Sequence, residues 1–275
     1  MDESINDVFR LLDKWAKYPN YQLERRADIF FALHLSEIMK IICKEEKNID
    51  DSHIVPEFPL RDKIYIKGNR TYHSRKVDYA VFGEKVLYLI ELKTTMDDVK
   101  DIKTPDIKYL IDAKKLGVNQ LISDICDIRN SSSQFMKYDT LKSFFDTPEV
   151  KKRIKGYHNN SIKIVYIIPI DPENEKYKDY SIATTFKCNK IEPICFSKIL
   201  KELPDTYGSL TKRFKDSLKT WVKIEEDKVV RKPNAYEKKE IEAWRKIYLD
   251  NKILPPNTQT AAVQCNNDQW GFRNM

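Results

Sequence analysis

The stretch "VLYLIELKTT", residues 86–95, is an apolar run that ends in two charged residues, Glu91 and Lys93. A buried ionised side chain is unfavourable unless it is paired or coordinates a metal ion. A carboxylate and an ammonium at the tip of a buried strand therefore predict a catalytic metal site. A surface ion pair at the end of a hairpin is the alternative interpretation of the same residues.

The acid-x-Lys spacing by itself is common in this chain. It recurs at Glu45/Lys47, Asp98/Lys100, Asp106/Lys108, Asp112/Lys114 and Glu226/Lys228. The copy at Glu91 is the one that closes an alternating apolar strand, so its context and not its spacing distinguishes it.

Asp78 is the carboxylate that a neighbouring strand would bring to the same face. A two-residue turn at 83–84, with Gly first, predicts a type II′ hairpin between the runs "RKVDYAVF" and "KVLYLIELK". That turn sets Asp78 opposite Leu89. Because side chains alternate between the two faces, Glu91 and Lys93 share the face of Asp78, and Glu91 is its diagonal neighbour at roughly 7 Å.

Two carboxylates at this separation can reach one divalent cation. Mg²⁺ and Mn²⁺ take oxygen ligands, and a site for Mg²⁺ commonly combines one or two carboxylates with substrate phosphate and water. A bound ion lowers the pKa of water and neutralises charge that develops on a phosphate. Lys93 would then orient or deprotonate the attacking water and stabilise the charged phosphorus centre. These residues predict phosphodiester hydrolysis.

The segment "VDYAVFGEKVLYLIELKTT" resembles the core of the PD-(D/E)xK phosphodiesterase superfamily, the restriction-endonuclease-like nucleases. In that pattern an Asp on one strand precedes an acid-x-Lys on the next. The resemblance implies that Asp78 and Glu91 are metal ligands, that the Leu92 carbonyl is a further ligand and that Lys93 is the catalytic lysine. Val77 stands where the family has proline.

The resemblance also implies two helical site residues. Glu37 matches a Glu that many members carry on a helix before the strands, as a further ligand of the ion. Gln120, in "VNQLISDI", matches a Gln on the helix after the motif, although Asp124 replaces the Tyr that sometimes follows it. The alternatives are a buried ion pair for Glu37, with Arg26 or a lysine, and an ordinary polar helix face for Gln120.

Hydrophobic periodicity places these residues on an α/β framework. Besides the two runs above, strands are predicted at "KIYIKG", "SIKIVYIIPI" and "YSIATTFKC", with the second of these as a fully buried central strand. Residues 45–60 are predicted to form a loop. Helices are predicted at about 3–17, 22–44, 118–128, 139–154, 206–226 and 235–251.

These elements predict a restriction-endonuclease-like fold, a mixed central sheet flanked by helices. Residues 1–200 would form the nuclease-like core, and residues 201–275 a mainly helical extension packed on it, with an irregular tail after about 254. Such a chain is long enough to bury a large core.

The composition limits the class of protein without identifying it. The chain has 275 residues, a net charge of +7 and five scattered cysteines without a C-x-x-C pair. That cysteine pattern disfavours a disulfide framework and a structural zinc site. No apolar run is long enough to span a bilayer and no secretory signal is evident, so a cytoplasmic protein is expected.

Other polar residues allow competing interpretations. The four histidines lack metal-ligand spacing, and His34 is expected in the core. The basic stretches "PEVKKRIKGYH" and "TKRFKDSLKTWVK" contain Tyr157 and Trp221, and could bind phosphates or form solvated helix faces.

The sequence thus predicts a metal-dependent nuclease that uses Mg²⁺ or Mn²⁺, acts on nucleic acid, DNA rather than RNA, and has no membrane partner. A two-fold homodimer would suit cleavage of both strands of a duplex. The alternative is a catalytically inactive binding or regulatory protein with the same fold. A small-molecule enzyme of another fold is a weaker third reading, because the chain has no Gly-rich phosphate loop, nucleophile elbow or H-E-x-x-H motif.

Overall fold

A computed structural model describes residues 3–18, 22–44, 46, 48–66, 69–100, 104–131, 136–158, 161–174 and 182–230. The strands are β1 (Ile54–Ile66), β2 (Asn69–Phe82), β3 (Leu87–Leu92), β4 (Ile162–Ile168) and β5 (Ile191–Cys195). The helices are α1 (Glu3–Trp15), α2 (Leu23–Ile42), α3 (Met96–Lys100), α4 (Thr104–Leu116), α5 (Val118–Ser131), α6 (Met136–Asp146), α7 (Pro148–Gly156), α8 (Ile182–Asn189), α9 (Phe196–Glu202) and α10 (Ser209–Val230).

The five strands form one sheet in the order β1-β2-β3-β4-β5. β1, β2 and β3 are antiparallel neighbours, whereas β3, β4 and β5 run parallel. The predicted α/β class with a mixed central sheet flanked by helices is therefore confirmed. β4 was predicted as a central, fully buried strand; it is an interior strand between β3 and β5, next to the edge, and it is buried except at Lys163.

Helices cover both faces of this sheet. On one face the core joins α1, α2, α9 and α10 to alternate strand residues such as Tyr79, Val81 and Ile90. Helices α4 to α7 cover the other face, where Phe58 and Phe82 pack against Phe145 of α6. Every residue of β3 is buried as a result. No helix in the described ranges is long and apolar enough to cross a membrane.

Residues Met1–Lys228 form one compact unit. Helix α10 confirms the helix predicted at 206–226, and its Phe214, Leu218 and Trp221 belong to the core. The helix predicted at 235–251 and the irregular tail lie outside the described residues.

Two predicted elements are wrong. "YSIATTFKC" was expected to form a strand, but Ile182 and Phe186 bury one side of helix α8 because residues four apart share a helix face. The strand comes immediately afterwards, as β5. The loop predicted at 45–60 contains the start of β1, where Pro56 and Pro59 are tolerated because β1 is an edge strand.

The turn between β2 and β3 has four residues and not the predicted two. The Glu46 carboxylate accepts hydrogen bonds from the backbone N–H groups of Glu84, at 2.6 Å, and Lys85, at 3.4 Å. A Cβ on Gly83 would lie 2.8 Å from Glu46 Oε1, so glycine is needed for this close approach. A carboxylate from a distant loop thus sets the length of the turn, which is why local sequence did not predict it.

Candidate functional site

Asp78 and Glu91 face each other where β2 and β3 leave their shared ladder. The last paired residues are Tyr79 and Ile90, so the next step sets Asp78 opposite Glu91. The predicted pairing of Asp78 with Leu89 is wrong by two residues because of the longer turn. A shift of two keeps every side chain on its predicted face, and the two carboxylates therefore still meet.

The two carboxyl groups are in direct contact. The Asp78 side chain hydrogen-bonds the Glu91 side chain, and Asp78 Oδ2 also accepts the backbone N–H of Leu92 at 2.7 Å. Glu91 is 6% exposed. Burial, with the negative charge of Asp78 beside it, raises the pKa of Glu91 to about 7. Two carboxyls this close cannot both ionise freely unless a cation compensates them.

Lys93 follows β3 directly and connects that strand to α2. Its Nζ lies 3.3 Å from Glu91 Oε2 and 3.3 Å from Glu24 Oε2 in the first turn of α2. Burial lowers the pKa of Lys93, but the charges of Glu91, Glu24 and Asp78 outweigh burial and raise that pKa above its ordinary value. Lys93 is therefore an ammonium group at neutral pH.

Further carboxylates surround Asp78. Burial raises the pKa of Glu24 to about 7, and burial together with the charge of Asp78 raises the pKa of Asp28 to about 6. Glu57 lies level with Asp78 on β1, has a left-handed backbone with φ of 50° and pairs with Lys76. We name these side chains the carboxylate cluster: Glu24, Asp28, Glu57, Asp78 and Glu91.

A cavity of about 520 Å³ lies over this cluster. Its lining consists of Glu24, Arg25, Asp28, Glu57, Lys76, Asp78 and Leu92. Four of the five cluster carboxylates line it, so solvent and small ions can reach them. Leu92, whose carbonyl was predicted as a further ligand, also lines the cavity.

Tyr109 is a site residue that the sequence analysis missed. Its hydroxyl, on α4, donates a hydrogen bond to Glu91 Oε1, and the guanidinium of Arg75 lies 5.5 Å from the centre of its ring. Tyr109 thus fixes one oxygen of Glu91 while Lys93 holds the other. It lies in a charged stretch of sequence between predicted elements, where its type and position gave no signal.

Glu37, the predicted helical carboxylate, lies elsewhere on α2. It is thirteen residues beyond Glu24, or about 20 Å along the helix axis at 1.5 Å per residue. Its carboxylate instead pairs with Lys40 at 2.8 Å on an exposed stretch. Glu24, and not Glu37, is therefore the α2 carboxylate that lies beside Lys93. Both lie on the same helix, and the sequence pattern did not fix which turn faces the strand ends.

Gln120 does not join the cluster either. It is exposed on α5 and its side-chain N–H donates to Asp124 Oδ1 at 2.9 Å. Asp124 in turn accepts a hydrogen bond from Arg61 at 3.0 Å. The polar helix face weighed as the alternative for Gln120 agrees with these contacts.

The other polar candidates have structural roles. His34 is buried, with Nδ1 2.8 Å from the Phe30 carbonyl and Nε2 3.0 Å from Thr211 Oγ1, as expected for a core residue. In the first basic stretch, buried Arg153 donates to the carbonyl of Phe82 at 2.8 Å. In the second, Trp221 is 1% exposed.

The residues of the cluster fit a hard divalent cation by their chemistry. Among the described residues, no three His, Cys, Asp or Glu side chains already stand in a metal-binding arrangement. Nevertheless, all five cluster groups are oxygen donors, and Asp78 and Glu91 carry pKa values raised by burial. A Mg²⁺ or Mn²⁺ ion would compensate the negative charge that Asp78 and Glu91 bring together.

Comparison with known proteins adds no further information on this site. No protein-family model, no curated protein and no solved structure matches the chain. The assignment of a function therefore depends on the side chains that meet at the ends of β2, β3 and α2.

Proposed function

We propose that this chain is a metal-dependent phosphodiesterase that cleaves nucleic acid, with DNA as the expected substrate, on a restriction-endonuclease-like fold. One observation carries the proposal. The carboxyls of Asp78 and Glu91 are in contact, and Lys93 is held between Glu91 and Glu24 beside them. Partly buried carboxyls with raised pKa values, gathered around one lysine beside a cavity, are typical of catalytic sites.

The carboxylates of Asp78 and Glu91 would hold Mg²⁺ or Mn²⁺. Glu24, which pairs with Lys93, would be the third carboxylate of the site. The ion, when bound, would lower the pKa of water and neutralise charge on the phosphate. Tyr109 and Leu92 would keep the two carboxylates in place, because each donates a hydrogen bond to one of them.

Lys93 and Glu24 would have separate roles in the attack of water on phosphorus. The raised pKa of Lys93 makes it a hydrogen-bond donor rather than a base, so it would orient water and stabilise charge on a phosphoryl oxygen. Glu24, with a pKa of about 7, suits a proton acceptor at neutral pH. Water would form a bond to phosphorus, its proton would pass to Glu24, and the phosphorus bond to the leaving oxygen would break.

The test is cleavage of labelled single- and double-stranded DNA and RNA in Mg²⁺, Mn²⁺ or chelator. Lys93→Ala should reduce the metal-dependent rate by about 100-fold or more, because it loses the positioned donor. Lys40→Ala, which removes an exposed lysine of α2, is the matched control. Circular dichroism would verify that both variants are folded.

Wild-type activity in Lys93→Ala would refute the mechanism. If wild type cut no substrate yet bound Mn²⁺ through Glu91, the alternative of an inactive binding protein would replace the proposal. Loss of activity in Lys40→Ala as well would point to a general defect in folding.

A further inference from the structure

A second cavity adjoins the candidate site. It has a volume of about 660 Å³ and lies between the end of α1, the first turn of α2, the segment after β3 and helix α10. We name it the α1–α10 cleft. Glu24 and Arg25 line both this cleft and the cavity over the carboxylate cluster. A chain-like ligand could therefore occupy both cavities at once.

The cleft presents two cations that are not neutralised. Lys17 and Arg25 are exposed, and neither has a carboxylate within 4.0 Å in the described part of the chain. The acidic residues of the cleft are engaged instead. Glu24 pairs with Lys93, and buried Glu225 accepts the Met96 N–H at 2.8 Å and pairs with Lys228.

Asp98 of the cleft accepts a hydrogen bond from Thr95, with which it caps the start of α3. The hydroxyl of Thr95 is neutral, so Asp98 keeps its negative charge. Lys17 and Arg25 are the cations of the cleft that have no carboxylate partner among the described residues, and they are the groups that could attract an anionic ligand. A partner with regularly spaced negative charges, such as a phosphodiester backbone, would suit them.

Two aromatic residues line the same cleft. Tyr18 is 56% exposed at its rim, where its ring is available for stacking. Trp221 is 1% exposed, and its indole N–H has no hydrogen-bond partner among the described residues. Because this N–H is fully buried, the aromatic surface that the cleft offers to a ligand is the ring of Tyr18.

We propose that the α1–α10 cleft binds a single-stranded stretch of the nucleic acid whose phosphodiester bond enters the carboxylate cluster. Lys17 and Arg25 contact its phosphates, and Tyr18 stacks on one of its bases. A paired base has both faces covered, so the exposed ring of Tyr18 selects unpaired nucleotides over a duplex. The identity of the ligand rests on the proposed function, but the binding itself requires no catalysis.

The test is fluorescence anisotropy of a labelled 12-nucleotide oligo(dT) and of the same strand in a duplex, with chelator present to prevent cleavage. Wild type should bind the single strand more tightly. Tyr18→Ala should weaken that binding by about 5- to 150-fold, the range for loss of one stacked base, whereas Tyr18→Phe should retain it. Lys17→Ala/Arg25→Ala should reduce the slope of log affinity against log salt by about 1.4.

The matched control for charge is Lys14→Ala/Arg26→Ala, which removes two exposed cations that do not line the cleft. It should change the slope by much less. Equal affinity for single strand and duplex, unchanged binding in Tyr18→Ala or no binding by wild type would each overturn the inference.

The result separates this inference from the proposed function. Binding that depends on Tyr18, without cleavage under any metal condition, would refute the phosphodiesterase and keep the cleft. Cleavage that is unchanged when Tyr18 and Arg25 are substituted would refute binding in the cleft and keep the phosphodiesterase.

Discussion

The Glu24 carboxylate lies 3.3 Å from the Lys93 ammonium, although 69 residues separate them in the chain. The contact ties the first turn of α2 to the end of β3. It also gives the lysine a second carboxylate besides Glu91, its neighbour on the strand. The candidate site is consequently made by tertiary packing and not by the hairpin alone.

Glu24 should be essential for cleavage, whereas Glu37 should not. Glu24→Gln removes the proposed proton acceptor and should lower the cleavage rate by about 100-fold or more. Glu37→Gln alters a carboxylate of the same helix that pairs with Lys40, and its rate should match wild type. Steady-state cleavage of the preferred substrate measures both. If Glu37→Gln lowered the rate and Glu24→Gln did not, Glu37 would be the helical carboxylate of the site, as the sequence predicted.

Tyr109→Phe should destabilise the fold and disturb Glu91. It deletes a hydrogen bond to a buried carboxylate, a change that typically lowers the free energy of unfolding by about 1–3 kcal/mol. Tyr18→Phe removes a hydroxyl from an exposed ring and should change the free energy of unfolding by less than about 0.5 kcal/mol. Urea unfolding followed by circular dichroism measures both values. Similar values for the two variants would show that the Tyr109 contact contributes nothing.

Mn²⁺ should stabilise the folded protein through the carboxylate cluster. At 100 times its dissociation constant, a ligand that binds only the folded state adds about 2.7 kcal/mol, which appears as a higher Tm. Asp78→Asn should lose most of this increase because it removes one carboxylate of the contacting pair. Glu37→Gln should keep it. An equal shift in all three proteins would place the ion somewhere else.

Gly83→Ala should be destabilising because its Cβ would lie 2.8 Å from both Glu46 Oε1 and the Val86 carbonyl. Steric crowding of this kind typically lowers the free energy of unfolding by about 1–3 kcal/mol. Gly156→Ala is the matched control, since a Cβ there meets nothing within 4 Å. It should be neutral or slightly stabilising. If chemical denaturation ranked the two variants equally, the close approach of Glu46 to the turn would be in error.

His34 should make the protein less stable in acid. Burial lowers its pKa below 6.5, so the unfolded chain takes up a proton at a pH where the folded protein does not. Stability from this group is complete above pH 6.5 and decreases as the pH falls towards the folded pKa. Both ring nitrogens are already engaged, with Phe30 and Thr211.

The measurement compares urea midpoints at pH 7.5 and 5.5 for wild type and His34→Gln. Glu24 and Glu91 act in the opposite direction, because their raised pKa values favour the folded state in acid. These carboxyls are common to both proteins, so the difference between wild type and variant isolates the histidine. Wild type should lose more stability, relative to the variant, on going to pH 5.5. No difference would show that His34 titrates normally.

Patterns with a short period predicted the sheet well. Alternation of side chains along a strand correctly predicted that Asp78, Glu91 and Lys93 share one face of the sheet. A register shift of two residues leaves every side chain on the same face. The register itself depends on Glu46, a residue 38 positions before Glu84 that the hairpin sequence does not contain. Glu24 and Tyr109 were missed for a related reason, because periodicity gives the face of a helix but not which turn meets a distant strand.

Both outer strands of the sheet contain proline. Pro56 and Pro59 lie in β1, and Pro193 lies in β5, opposite Tyr166. Proline has no N–H to donate, so each edge is interrupted, at residues 56 and 59 of β1 and at residue 193 of β5, as a template on which another strand could extend the sheet. The described sheet is thereby protected from edge-to-edge aggregation. Any association between two copies of the chain would therefore use helices and loops rather than the edges of the sheet.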